Sequence, residues 1–95
     1  MDNKEYFTFP FEVGPLNGVK LRSISDSGMT YISDEGKVVS KLVVSGISPT
    51  KIEECAAKFG VTFADQILSI KVNNSELKMG KDKILQTILI LATSR

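Results

Sequence analysis

An α+β fold is predicted, a small antiparallel sheet with two or three helices packed on one face in the order β-β-β-α-α-β-α. Three observations predict it. Apolar residues alternate with a period of two through the first third of the chain, and tight-turn residues interrupt them. Two later segments, near residues 49–59 and 81–93, repeat apolar side chains at i, i+3, i+4 and i+7. Ninety-five residues and an ordinary 42% apolar content suit a single domain over residues 1–95.

The first strand is read in "YFTFPFEV", with Phe7, Phe9 and Phe11 on one side and Tyr6, Thr8 and Pro10 on the other. Pro10 cannot donate to a ladder, which assigns this strand to an edge or to a bend. Asn17-Gly18 is the expected turn, because both residues tolerate positive φ. "VKLRSIS" then sets Val19 and Leu21 against Lys20 and Arg22, Asp26-Ser27-Gly28 turns the chain, and "MTYIS" runs back.

Residues 37–44 carry valines at 38, 39, 43 and 44 that suit a strand, and a spacing of Val38, Val39, Leu42 and Val43 that suits a helix. The helix is preferred, because the Asp34 carboxylate can accept from the free amides of a first turn. Next, Ser48 caps a helix that starts at Pro49, buries Ile52, Cys55, Ala56 and Phe59, and ends at Gly60. "VTFADQILSIKV" reads as extended structure, broken near Ala64-Asp65. The last helix is expected from about Lys81 to Thr93. Ile84, Leu85, Ile88, Leu89, Leu91 and Ala92 share one arc, Asp82, Lys83, Gln86 and Thr93 lie opposite, and Ile90 falls outside the apolar arc.

The chain has no histidine, which removes Ser-His-Asp and Cys-His catalysis and most zinc sites. Cys55 is the only thiol, so it forms no internal disulfide, and its place on an apolar stripe makes it structural. Asp26, Asp34, Glu35 and Asp65 could build a divalent-metal hydrolase site, but Asp-Ser-Gly and Asp-Glu-Gly are ordinary turn chemistry. The glycines form no phosphate-binding pattern. No enzyme, no cofactor and no metal is therefore expected.

Net charge is +1, and the halves differ little: five Lys/Arg against six Asp/Glu in residues 1–50, seven against five in 51–95. Nucleic acid is accordingly not favoured as the first reading. The constellation that suits it is Tyr6, Phe7, Phe9, Phe11 and Tyr31 as rings on which bases stack, with Lys20 and Arg22 on a neighbouring strand. Alternating phenylalanines on one strand face are, however, more often core. Lys71, Lys78, Lys81 and Lys83, diluted by Glu76 and Asp82, read as a solvated face. The acidic, mixed "MDNKEYFTF" is no secretory leader and no apolar run spans a bilayer, so a cytoplasmic protein without membrane contact is expected.

"FTFPF", "YISDEGKVVSKLVVSGI", "KFGVTF" and "ILQTILIL" together resemble a bacterial and phage domain of unknown function. The matching features are Thr8 to Phe11, the Asp34 to Gly36 turn that opens a helix, Ser45-Gly46 at its end, and the Phe59 to Val61 step. The resemblance implies an α+β fold and a setting in phages or mobile elements, and it favours Asp34 as a helix-opening corner. With that setting, the leading expectation is a small non-enzymatic interaction factor that inhibits a host defence complex. Its partner would be a host protein complex or a second copy of this chain, met through Ile90, Val44, Lys37 and Lys41. The alternative is a nucleic-acid-binding module using Lys20, Arg22, Tyr6 and Tyr31.

Overall fold

Five strands and three helices make up the fold in a computed structural model, which describes residues 3–93. The elements are β1 (Asn3–Val13), β2 (Leu16–Asp26), β3 (Met29–Ser33), α1 (Lys37–Val44), α2 (Pro49–Lys58), β4 (Thr62–Ala64), β5 (Ile67–Asn73) and α3 (Leu77–Thr93), with a short 3₁₀ turn at Asn74–Glu76. All pairings are antiparallel, and the sheet order is β1-β2-β3-β5-β4. This is the expected α+β class. The single strand expected after α2 is two strands, because Asp65 and Gln66 both take left-handed backbone (φ 53° and 64°) and fold β4 back on β5 as a two-residue hairpin.

The first hairpin turns earlier than expected. Val13 pairs with Leu16, so Gly14-Pro15 forms the corner, with Gly14 at φ 54°. Asn17 already lies within β2 and pairs with Glu12. Gly18 (φ 87°) stands opposite a break in register between Phe9 and Glu12, so Pro10 and Phe11 form a bulge on an edge strand. A bulge suits a residue that has no N–H to donate. It also corrects the side assignment: Phe7 and Phe9 pack half-buried against the core, whereas Phe11 is exposed and stacks its ring on Phe9 at 6.0 Å.

The period of two now sorts the sheet into two faces. Val19, Leu21, Ile32, Leu68, Ile70 and Val72 are buried beneath the helices and share one core with Val39, Leu42, Ile52, Ile84, Ile88 and Leu91. Residues 37–44 are helical and bury Val38, Val39 and Leu42. Ser48 caps α2, accepting from Lys51 N at 3.2 Å, and Pro49 opens the helix. Gly60 takes φ 71° just past its end.

The last helix begins four residues before Lys81, at Leu77, and contains Gly80. A glycine inside a helix is unfavourable by about 1 kcal/mol relative to alanine, which hides this turn from a propensity reading. Packing explains it: a Cβ at Gly80 would stand 3.0–3.1 Å from the Val72 methyls, so the missing side chain lets α3 approach the sheet. Thr87 is also fully buried within the apolar face, where its hydroxyl donates to the Lys83 carbonyl at 2.9 Å.

Candidate functional site

Residues 33–36 form a structural corner. Asp34 is fully buried, and its carboxylate accepts three backbone N–H groups: Gly36 and Leu68 on Oδ1 (both 2.9 Å) and Val39 on Oδ2 (3.0 Å). Asp34 N in turn donates to the Leu68 carbonyl at 3.1 Å. One side chain thus caps α1 and ties it to β5, as a carboxylate with several oriented donors can do. Among the described residues no three His, Cys, Asp or Glu side chains gather where a metal could bind.

Cys55 is buried on the inner side of α2, its Sγ 3.9 Å from the Thr87 carbonyl. Burial pushes its thiol up from the ordinary value, against the opposing pull of Lys58 and Lys51. A thiol held protonated is a poor nucleophile.

No helix of the described residues packs over the opposite face of the sheet. Alternation along β1, β2, β3 and β5 brings Tyr6, Thr8, Lys20, Arg22, Ile24, Tyr31 and Lys71 to this side, through the pairs Tyr6–Arg22, Thr8–Lys20, Ile24–Tyr31 and Tyr31–Lys71. Tyr6 is 51% exposed and Tyr31 41%. Lys20 Nζ lies 4.4 Å from the centre of the Tyr6 ring.

One shallow depression lies between the start of β2 and α1, and two more run along this side. Thr8, Lys20, Lys37 and Lys41 line one of about 220 Å³. Arg22, Ile24, Tyr31, Ser33, Glu35 and Ile67 line a second of about 270 Å³, and Ile24, Asp26, Met29, Tyr31 and Lys71 line a third of about 380 Å³. Tyr31 is a wall shared by the last two. The linings hold five cations (Lys20, Arg22, Lys37, Lys41, Lys71) and two carboxylates (Asp26, Glu35). Arg22 Nη1 pairs with Glu35 Oε2 at 3.0 Å, while Arg22 Nε is buried without a hydrogen bond.

The fold therefore regroups the residues singled out by sequence. Lys20, Arg22, Tyr6 and Tyr31 do share one face, and α1 brings Lys37 and Lys41 beside Lys20. Val44, 85% exposed, lies at the end of α1, and Ile90 lines a separate groove between α2 and α3 with Lys51, Glu54, Cys55, Lys58 and Leu91. Lys71 and Glu35 belong to the open face as well. The parity of Lys71 between the buried Ile70 and Val72 is the sequence signal that places it there.

No helix of the described residues is long and apolar enough to cross a membrane. No curated protein and no solved structure matches the chain. A family model matches residues 19–90, which takes in Lys20, Arg22, Tyr31, Glu35, Lys37, Lys41 and Lys71 and leaves out Tyr6 and the Thr8 to Phe11 stretch. The chain belongs to the family described as domain of unknown function DUF1828.

Proposed function

We propose that the protein is a non-enzymatic binding module that takes single-stranded nucleic acid on its open sheet face. The observation that carries this reading is the joint placement of both tyrosines with Lys20, Arg22 and Lys71 on a face that no helix of the described residues covers, with Lys37 and Lys41 of α1 at its border beside Lys20. Exposed rings offer stacking surfaces to bases, and cations beside them neutralise phosphates. The near-neutral total charge conceals this asymmetry, because the surplus is local.

Fluorescence anisotropy of a labelled single-stranded oligonucleotide tests the reading. Affinity is expected to fall with salt at a log–log slope of about −0.7 per phosphate contacted. Lys20→Ala and Lys41→Ala should each make that slope shallower by about 0.7. Tyr31→Ala should weaken binding by about 1–3 kcal/mol with little change in slope. Absence of binding at low salt, or binding indifferent to salt, rejects the reading and turns attention to an acidic protein partner on the same face.

A second reading keeps the expectation of a phage- or mobile-element-encoded factor that inhibits a host protein complex. Its support is Val44, the most exposed large apolar side chain among the described residues, next to the exposed Val43. Val44→Asp and Ile90→Asp should leave the melting temperature within about 2 °C, since neither side chain is in the core. If they also leave nuclease-resistant capture of a host protein unchanged, those two residues have no part in it.

A further inference from the structure

The depression between Arg22 and Tyr31 has the chemistry of a pocket for one base. Its volume is about 270 Å³, and Ile24 and Ile67 supply apolar walls beside the half-exposed Tyr31 ring. Ser33 and the Arg22–Glu35 pair complete the lining. The pair is not closed on itself. Arg22 commits Nη1 to Glu35 Oε2, its Nε makes no hydrogen bond, and Glu35 retains Oε1. A guanidinium therefore stands beside a carboxylate, next to an aromatic surface, with its Nε buried beneath them.

Glu35 has a second peculiarity. Its backbone is left-handed (φ 56°), a conformation in which glycine, asparagine or aspartate would be easier. The residue that follows, Gly36, is also left-handed, at φ 78°. At Glu35 a long carboxylate side chain occupies a backbone position that disfavours it, and that side chain reaches back over the sheet to Arg22 across thirteen residues. Residues held in sparsely populated backbone regions cluster at ligand sites.

We infer that this pocket reads guanine, with Glu35 accepting from the base and Arg22 donating to it while Tyr31 flanks the ring. The inference rests on the single-strand reading above. Among the four bases, guanine alone presents two adjacent donors, N1–H and N2–H, to a carboxylate, with the O6 acceptor next to them for a guanidinium. Adenine and cytosine each offer a single amino group on that edge, and thymine a single imide N–H. Single-stranded bases expose these edges because they are not paired.

The experiment uses the whole chain and short oligothymidylates with one central position changed to dG, dA or dC, measured by anisotropy at fixed salt. The dG strand should bind roughly tenfold or more tightly than the other three, the discrimination a charged two-bond contact to a base gives. Guanosine monophosphate should displace that strand at concentrations where adenosine monophosphate does not. Glu35→Gln and Arg22→Lys should each bring the ratio of dG to dT affinity close to one, with the fold checked by circular dichroism. Equal affinity for all four strands overturns guanine reading and leaves single-strand binding standing. Binding of the free guanine nucleotide without binding of any strand supports the pocket and rejects the strand. If neither strands nor nucleotide bind, both proposals fall.

Discussion

Asp34→Ala is expected to cost on the order of 4 kcal/mol, because it strands three N–H groups at once, two of them fully buried. Gly36, Val39 and Leu68 all donate to this carboxylate. A buried donor left without a partner is unfavourable by about 1–3 kcal/mol, and some relaxation is expected at each. For a domain of this size the melting temperature should fall by roughly 15–30 °C, a large part of its total stability. Asp34→Asn should be about half as damaging. Its amide oxygen can keep the Gly36 and Leu68 bonds, whereas its NH₂ would confront the Val39 N–H. Thermal melts followed by circular dichroism read both effects. A fall below about 5 °C for the alanine variant would mean that water replaces the carboxylate and that the corner is not the clamp between α1 and β5.

Gly14→Ala should rank next, with a loss of about 3 kcal/mol in urea unfolding. Two effects coincide there. The backbone is left-handed, which disfavours any Cβ by about 1 kcal/mol. A Cβ would also sit 2.2 Å from the carbonyl oxygen of Ala92, a backbone atom that can yield only if the end of α3 moves. Gly28→Ala separates the two terms, since Gly28 has φ 81° with open space around it and should lose only about 1 kcal/mol. Equal losses at the two positions would show that contact between the first hairpin and the end of α3 adds nothing to stability.

These two positions also show how far the sequence could be read. The residues around Asp34 are local to one another, so a carboxylate ahead of a helical repeat was enough to assign the cap. The bond to Leu68 was not legible, because it joins segments that meet only after β5 has paired with β3. Asn17-Gly18 and Gly14-Pro15 are both sound turn pairs, and local turn chemistry does not choose between them; the corner that forms lies against the end of α3, a tertiary contact. The turn of α3 before Lys81 was hidden for the same reason, since what suits Gly80 to a helix is its closeness to Val72. Alternation put Lys20 and Arg22 on one side of β2, and the strand registers, which alternation does not supply, bring Tyr6 and Tyr31 to that same side. Adding Lys37 and Lys41 to them required knowing that α1 docks beside the start of β2, and no periodicity encodes that.

The chain contains two tyrosines and no tryptophan, and both tyrosines stand on the open face. Its long-wavelength ultraviolet absorption and emission therefore originate almost wholly from that surface, with Lys20 resting on one of the two rings. Since neither ring is buried, the signal is weakly coupled to the core and strongly coupled to whatever lies against the sheet. The molecule carries an unlabelled optical probe of its own candidate site, while its folding is better followed through the amide band.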